Sequence, residues 1–301
     1  MRQPLLERTI TSSLSRRLTA LVAAIVLAAA LAAVGPITPV AEAASCNAID
    51  LPQVPEDVPP PDTEAEPDNG RIAGPEMTRT IGEALVNYIV CWNSDNGPAV
   101  VSLSTTNRLA EAYGSTDPYQ AMETLGTVEL PIHVITGDNV RVYEDGRASV
   151  DLFYQRGEYG YVDSRWFWVQ DGDHWRFDQE VSLPPTVEGD KAYVSYSIAD
   201  DTSPVVFDQR NTIAAPPVLV LHGTNNGAGP QRLYVYQLPA VPGEGETLEA
   251  LPEKSVQVAC IQIKPGDQVD MALVGLPEGA YGIVSANNEV PAVIVLTKPG
   301  E

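Results

Sequence analysis

The sequence predicts an α+β region, with helices packed on an antiparallel sheet, followed by an all-β Greek-key sandwich. Three observations predict this order. Apolar residues recur at helical spacing from about residue 78 to 93, and hairpin turn signals then separate four strand-like segments up to residue 183. From residue 193 onward, short apolar runs alternate with turn residues without a helical stretch. Helices followed by a strand meander are typical of an α+β domain rather than of a parallel sheet.

The N-terminus has the features of a secretory signal peptide. Basic residues ending at Arg16-Arg17 precede an uncharged apolar run from Leu18 to Val34, and Ala41-Glu42-Ala43 is a small-x-small cleavage site. We therefore expect residues 1–43 to be a cleaved signal peptide, and the mature chain to be secreted with no membrane contact. The open alternative is an uncleaved N-terminal membrane anchor with the folded domains outside, because the apolar run is just long enough to span a bilayer.

Residues 44–74 are predicted to form a disordered linker, because a segment rich in Pro, Asp and Glu buries too little apolar surface to fold. The formal net charge of the whole sequence is −22. Nucleic acid is therefore not an expected partner, since binding to phosphates depends on Lys and Arg. The acidic residues of the linker also lack the spacing of a calcium-binding loop.

Three cysteines, Cys46, Cys91 and Cys260, allow one internal disulfide and leave one thiol in an exported chain. All three pairings are open from the sequence. The preferred pair is Cys46 with Cys91, because this bridge would hold an otherwise loose N-terminal segment. The sequence has no Cys-x-x-Cys motif, and it predicts no metal site and no cofactor.

The first region is expected to begin with helices. An apolar face predicts a helix from about Thr78 to Asn93, which Gly97-Pro98 would end. A second helix is predicted before Gly114. A third follows Asp117-Pro118, with Asp as the N-cap and Pro at the first helical position.

Four strands are expected next, at residues 129–143, 147–155, 159–169 and 174–183. The last hairpin contains Trp-Phe-Trp-Val-Gln-Asp-Gly-Asp-His-Trp-Arg-Phe, at residues 166–177. Paired helices followed by a meander that closes on such a hairpin resemble the nuclear-transport-factor-2-like, or ketosteroid-isomerase-like, superfamily. The resemblance covers residues 75–185. It implies a cone, in which helices and a curved antiparallel sheet enclose a pocket.

A second domain is expected at residues 190–301, after a break rich in Pro and Gly at residues 183–191. Its seven or eight short strands are typical of a β-sandwich. The segments 207–213, 264–267 and 276–281 resemble those of a cupredoxin. That resemblance implies a copper-binding His near Gln231 and a copper-binding Cys at Ser285. An amide and a hydroxyl cannot replace an imidazole and a thiolate, so no copper is expected.

The resemblance of residues 75–185 also implies a place for catalysis, because enzymes of that superfamily use an Asp or His base in the pocket. The candidates by residue type are Asp151, Asp163 and His133. Each has a structural alternative. The two Asp residues alternate with apolar neighbours as solvent-facing strand residues do, and a His between two apolar strand residues is common in sheets.

Aromatic residues are expected to line the same pocket. They are Tyr88, Trp92, Tyr113, Tyr154, Trp166 and Trp168. The tyrosines could also donate hydrogen bonds to an oxyanion. Large aromatic residues at alternating strand positions are, however, equally typical of a protein core.

Residues 218–223, which end in His222-Gly223, resemble the oxyanion strand of an α/β-hydrolase. The sequence has no Gly-x-Ser-x-Gly nucleophile elbow, so the hydrolase interpretation fails. We expect a secreted, non-catalytic binding or interaction protein, whose cone holds an apolar small molecule or a protein partner. The alternative is an isomerase, dehydratase or cyclase that uses general acid-base chemistry in the cone pocket. Extracellular electron transfer would require copper.

Overall fold

The computed structural model of the chain describes residues 46–53, 70–126, 130–200, 202–208, 212–243 and 246–298. The predicted signal peptide lies outside these residues. The chain from Ala44 onward forms one compact unit. Within the described ranges, no helix combines the length and the apolar character needed to cross a membrane.

Four helices precede the long strands. They are α1 (Pro75–Asn93), α2 (Gly97–Ser102), α3 (Thr106–Tyr113) and α4 (Pro118–Leu125). The apolar face predicted for α1 is buried. At the start of α4, the Asp117 side chain accepts a hydrogen bond from the backbone N–H of Tyr119 at 2.8 Å, as expected of an N-cap.

The second predicted helix is two helices, α2 and α3. Gly97-Pro98, expected to end a helix, starts α2 instead, because Pro is well accommodated in a first helical turn. Thr105 then begins a new helix, since its hydroxyl accepts a hydrogen bond from the backbone N–H of Arg108 at 3.1 Å. The break turns Arg108 and its neighbours on α3 toward the sheet.

The described residues form fourteen strands. They are β1 (Arg71–Ile72), β2 (Ile132–Val142), β3 (Ala148–Arg156), β4 (Gly160–Asp171), β5 (His174–Ser182), β6 (Lys191–Ile198), β7 (Val206–Phe207), β8 (Thr212–Ala214), β9 (Val218–Asn225), β10 (Gln231–Gln237), β11 (Val256–Ile263), β12 (Gln268–Val274), β13 (Gly279–Ser285) and β14 (Asn288–Thr297). The strands of the meander, β2 to β5, match the four predicted segments closely, because alternating apolar residues and Gly-containing turns mark both ends of each strand.

The strands make two sheets. One has the order β1-β2-β3-β4-β12-β9-β6-β7, with β5 also paired to β4, and the other has the order β11-β10-β13-β14-β8. β2 to β5 are paired antiparallel in sequence order. In the C-terminal part the two sheets face each other, and apolar residues of β9 and β6 share one core with those of β10 and β11. The protein is therefore mostly β with few helices, and its C-terminal part is a β-sandwich.

The two regions predicted as separate domains are joined by strand pairing. Ala272 and Leu273 of β12 pair with Tyr161 and Gly160 of β4. The turn between β3 and β4 also reaches the second sheet, where Gly157 forms a bridge with Ala259 of β11. The two predicted domains therefore share one sheet.

The predicted linker, residues 44–74, is described only at 46–53 and 70–74, and both parts contact the folded unit. The backbone N–H of Ile49 donates to the Ser102 hydroxyl at 3.2 Å, and Arg176 donates to the carbonyl of Asp50 at 2.9 Å. Arg71–Ile72 pairs with β2 as β1. These parts are ordered against the fold because Ile49 and Leu51 supply apolar contacts with the core, which the Pro- and acid-rich composition does not indicate.

Cys46 and Cys91 are joined by a disulfide, with their Cα atoms 4.7 Å apart. This is the pair that the sequence favours. Cys260 on β11 is buried and lies outside the disulfide. The bridge fastens the segment before residue 53 to α1.

Candidate functional site

Aromatic rings fill the space between α1 and the inner face of the meander. Trp166 and Phe177 are stacked with their ring centroids 4.4 Å apart, and Tyr88 contacts Phe177 edge-on at 5.0 Å. Trp168 lies 5.5 Å from Phe177. Trp166, Trp168 and Tyr88 are all at most 2% exposed. These three predicted pocket residues are therefore core residues that contact one another.

A small polar cleft lies beyond these rings, where α3 and the meander meet β11 and the loop after it. Its volume is about 20 Å³. A cavity of that size holds a water molecule or a small polar group rather than a drug-sized apolar compound. The lining residues are Arg108, Tyr154, Arg156, Val162, Ser164, Glu180, Ser182, Ile261, Gln262, Lys264, Asp267 and Val269.

Glu180 is the carboxylate on the meander side of the cleft. Its Oε1 accepts hydrogen bonds from the Tyr154 hydroxyl at 2.7 Å and from the Trp166 indole N–H at 3.2 Å. Its Oε2 lies 3.4 Å from a guanidinium nitrogen of Arg108. Burial alone would raise the pKa of Glu180, but Arg108, the Tyr154 hydroxyl and Arg156 outweigh it and hold the pKa below its ordinary value. Glu180 is therefore a stabilised carboxylate and a weak base.

Two arginines flank Glu180. Arg108 is 6% exposed and its guanidinium carbon lies 4.5 Å from the centroid of the Phe177 ring. Arg156 lies over Trp92 at 5.0 Å. The Nε–H groups of both arginines are buried and have no hydrogen-bond acceptor among the described residues. Glu180 pairs with a terminal guanidinium nitrogen of Arg108, and the Nε–H of each arginine is left without an acceptor.

A second ion pair closes the cleft from the β11 side. Lys264 lies 3.0 Å from Oε2 of Glu111, a residue of α3 that is 4% exposed. Burial raises the pKa of Glu111, and Lys264 opposes that effect. The side-chain amide of Gln262 donates to the carbonyl of Ala112, so β11 is attached to α3 at two points.

The other predicted pocket residues are distributed around this cleft. Tyr154 lines it directly. Trp92 donates its indole N–H to the carbonyl of Leu130 at 3.2 Å and lies under Arg156. Tyr113 is packed under Arg232, 5.6 Å from the guanidinium carbon, and its buried hydroxyl has no partner among the described residues. Of the six predicted aromatic residues, Tyr154 alone lines the cleft.

The predicted catalytic candidates do not lie in the cleft. Asp151 receives two hydrogen bonds from Arg165, at 2.5 and 3.0 Å, on the opposite face of the meander. Asp163 lies on β4 between Val162 and Ser164, which line the cleft, so its side chain points to the other face. There it accepts hydrogen bonds from the backbone and hydroxyl of Thr186, at 3.0 and 2.7 Å. His133 is exposed on β2.

His222 is paired across the sheet with a residue that the sequence analysis did not single out. Its Nδ1 lies 2.6 Å from Oδ1 of Asp270. Ser195 is its neighbour on the parallel strand β6, but no hydrogen bond links the Ser195 hydroxyl to His222 in the described structure. Asp270 thus orients the His222 ring, but the neighbouring Ser195 hydroxyl is not hydrogen-bonded to it in the described structure.

The positions that correspond to copper ligands in the cupredoxin resemblance lie close together. Gln231 starts β10, Ser285 ends β13, and the Asn287 side chain donates to Gln231 at 3.5 Å. The Ser285 hydroxyl is buried and has no partner among the described residues. An amide and a hydroxyl do not fit a copper ion that needs imidazole and thiolate ligands. Elsewhere in the described chain, no group of three or more His, Cys, Asp or Glu residues is placed to hold a metal ion.

The functional side chains that sequence reasoning missed are charged: Arg108, Arg156, Glu180 and Lys264. Arg156 precedes Gly157 at a hairpin turn, so the sequence pattern does not single it out. Glu180 is hidden from sequence reasoning by a strand irregularity. It lies on β5 beyond an aromatic strand residue, and a register shift between Phe167 and Trp168 of β4 sets which face it takes. Pattern reasoning on one strand cannot detect that shift.

No family model and no curated protein matches the chain. Solved structures with some likeness include, by their titles, an auracyanin, multicopper oxidases and a copper-containing nitrite reductase. Auracyanin from Roseiflexus castenholzii has a TM-score of 0.25 and 9% identity, covering 35% of this chain and 96% of its own. A multicopper oxidase from Campylobacter jejuni has a TM-score of 0.24 and 8% identity, covering 55% and 48%.

A copper-containing nitrite reductase from Thermus scotoductus has a TM-score of 0.24 and 16% identity, covering 50% of this chain and 44% of its own. The chain thus spans about half the length of the oxidase and the reductase and nearly all of auracyanin. TM-scores this low do not establish a common fold, and these likenesses carry no conclusion about fold or copper.

Proposed function

We propose that this chain is an exported, non-catalytic binding protein whose ligand enters the polar cleft between α3, the meander and β11. Residues 75–185 would be a nuclear-transport-factor-2-like cone, and residues 190–301 a copper-free, cupredoxin-like interaction module. The observation that carries the proposal is the cleft itself. It is lined with oriented polar side chains, and its carboxylate is held in the ionised form.

The cone assignment is supported by the order of elements. Helices α1 to α4 come first, and β2 to β5 then form an antiparallel meander in sequence order. α1 packs its apolar face on that meander through Tyr88, which contacts Trp166, Trp168 and Phe177. In a cone of this kind, the ligand site lies between the helices and the inner face of the sheet.

Binding is favoured over catalysis because of Glu180. A general base works best when its pKa lies near the pH of the reaction, and such values are usually reached by burial away from cations. Glu180 has the opposite surroundings, with Arg108, the Tyr154 hydroxyl and the Trp166 indole all stabilising its charge. Such a carboxylate orients donors around it and does not readily accept a proton.

The small size of the cleft argues against an apolar small molecule, which is one of the two occupants expected from the sequence. The rings that would have to enclose an apolar molecule are in contact with each other, and the open space beyond them is about 20 Å³. A small polar ligand, or the polar end of a larger one, is therefore the favoured occupant.

Tryptophan fluorescence tests this function, because the Trp166 indole touches Glu180 at the cleft. The mature chain is titrated with a library of small polar compounds, and a saturable change is expected that Tyr154→Phe weakens. Tyr119→Phe, on the exposed surface of α4, is the matched control and is expected to leave binding unchanged.

The alternative, acid-base catalysis in the cone, is tested in the same preparation. Turnover of an added isomerase or dehydratase substrate that disappears in Glu180→Gln would overturn the proposal. Turnover that survives Glu180→Gln would place catalysis elsewhere and would also count against a purely binding role.

A further inference from the structure

Two buried donors at the cleft, the Nε–H groups of Arg108 and Arg156, have no acceptor among the described residues. Arg108 and Arg156 are both within the electrostatic range of Glu180, but only Arg108 is close enough for an ion pair with it. The described structure gives Arg156 no ion pair and no hydrogen bond from its guanidinium group, and its contact with Trp92 is a cation–π contact at 5.0 Å. A guanidinium group has five N–H donors, and the buried Nε–H of Arg156 is one that has no acceptor among the described residues.

The other charges near the cleft do not supply the missing acceptor. Glu111 is paired with Lys264, at 3.0 Å. Asp267 accepts the backbone N–H of its neighbour Gln268 at 2.8 Å. Neither carboxylate forms an ion pair or a hydrogen bond with Arg156 in the described structure. Leaving the buried Nε–H of Arg156 unpaired costs free energy that an acceptor would recover.

Two hydroxyl groups add donors to the same space. Ser164 accepts the indole N–H of Trp166 at 2.9 Å, and Ser182 accepts the backbone N–H of Asp270 at 3.3 Å. Each hydroxyl proton therefore remains to be donated. The register pairs these serines directly, so they lie side by side on the face that lines the cleft.

We propose, resting on the binding function above, that the cleft is a carboxylate-binding site in which Arg156 and the Nε–H of Arg108 receive the carboxylate of a small organic acid. A carboxylate offers two oxygens and several lone pairs, which a guanidinium group can bind in parallel. The small volume of the cleft suits that group alone. The remainder of the acid would lie toward the open side, near Gln262 and Asp267.

The experiment follows the Nε–H resonances of the arginines by NMR while the mature chain is titrated with sodium acetate at constant ionic strength. Acetamide is the neutral, isosteric control. The Arg156 and Arg108 resonances are expected to shift saturably with acetate and not with acetamide. Arg156→Gln is expected to raise the Kd for acetate at least ~10-fold, since hydrogen bonds to charged groups are worth about 1.5–3 kcal/mol.

Two further variants keep the test decisive. Arg79→Gln removes an exposed arginine of α1 that pairs with Glu83, and it is expected to bind acetate like the wild type. Arg156→Lys keeps the positive charge but loses the planar guanidinium group with its parallel N–H donors. It is expected to remain folded and to bind acetate more weakly than the wild type. Equal shifts with acetamide or with sodium chloride, or an unchanged Kd in Arg156→Gln, would overturn the carboxylate site.

Failure of this inference is distinguishable from failure of the binding function. If acetate gives no shift but a neutral compound still changes the Trp166 fluorescence, the carboxylate site is wrong and the binding function stands. If substrate turnover depends on Glu180, the binding function itself is wrong, whatever acetate does.

Discussion

At the scale of single residues, the surroundings of a side chain decide its chemistry more than its type does. Asp151 and Asp163 have the residue type of a catalytic base, but Arg165 and Thr186 engage them on the face of the meander away from the cleft. Glu180 lies in the cleft, and its neighbours stabilise its charge. The carboxylates that the sequence singles out thus lie outside the cleft, and one that it passes over lines it.

The first prediction concerns the pH dependence of stability through Glu180. Because its pKa is lower in the folded chain than the unfolded value of about 4.3, its contribution to stability is fully present above that value and is lost as the pH falls through the folded pKa. Urea unfolding of the wild type is therefore expected to show a decreasing free energy of unfolding below about pH 4.

Glu180→Gln removes that ionisation. The variant is expected to be less stable than the wild type at pH 7 and to lose less stability between pH 5 and pH 3. Glu83→Gln, on the exposed face of α1, serves as the control and is expected to follow the wild type. Parallel pH profiles for Glu180→Gln and the wild type would contradict the assignment of a stabilised carboxylate.

At the scale of elements, local sequence rules predict helix caps and hairpin turns. They fail where a contact comes from a residue far along the chain. The α4 N-cap at Asp117 and the hairpins of the meander follow from local sequence. The segment 46–53 has the composition of a linker, but the disulfide to Cys91 and the hydrogen bond to Ser102 hold it against the fold. No local pattern encodes those partners.

The second prediction concerns that disulfide. Closing a loop of this size is expected to stabilise the chain by about 4 kcal/mol through the entropy of the unfolded state. Cys46→Ser together with Cys91→Ser should therefore lower the free energy of unfolding by an amount of that order in urea titration. Alkylation of the denatured, unreduced wild type should label one cysteine, Cys260. A label on Cys46 or Cys91 would contradict the pairing.

At the scale of the whole molecule, the two predicted domains share structure. β12 extends the meander sheet at Gly160 and Tyr161, and the turn at Gly157 lies against β11. The N–H groups of Glu158 and Tyr159 both donate to the carbonyl of Val258, at 2.9 and 3.2 Å. We expect the chain to unfold in one cooperative transition, because these contacts couple the halves.

The third prediction tests that coupling with two glycines. Gly157 and Gly146 both have φ near +87°, so Ala at either position is strained by the backbone. A Cβ on Gly157 would also lie 2.4 Å from the carbonyl oxygen of Val258, whereas a Cβ on Gly146 meets nothing within 4 Å.

Gly157→Ala is therefore expected to destabilise the chain by at least ~1 kcal/mol more than Gly146→Ala, which reports the backbone strain alone. The measurement is thermal and urea unfolding, followed by both far-UV circular dichroism and tryptophan fluorescence. Equal destabilisation by the two variants would show that the turn at Gly157 does not couple the two halves.

The sequence by itself determined the long first helix, the strands and turns of the meander and the preferred disulfide, because periodicity, capping residues and Gly-containing turns act over a few residues. It also has the features of an export signal and an acidic composition. Export of the chain stays a prediction. Only the tertiary structure decided the site. Arg108, Arg156 and Glu180 lie on α3, β3 and β5, and Lys264 lies in the loop after β11. The break before α3 and the irregular pairing of β4 with β5 turn Arg108 and Glu180 toward one cleft, and no local pattern records that packing.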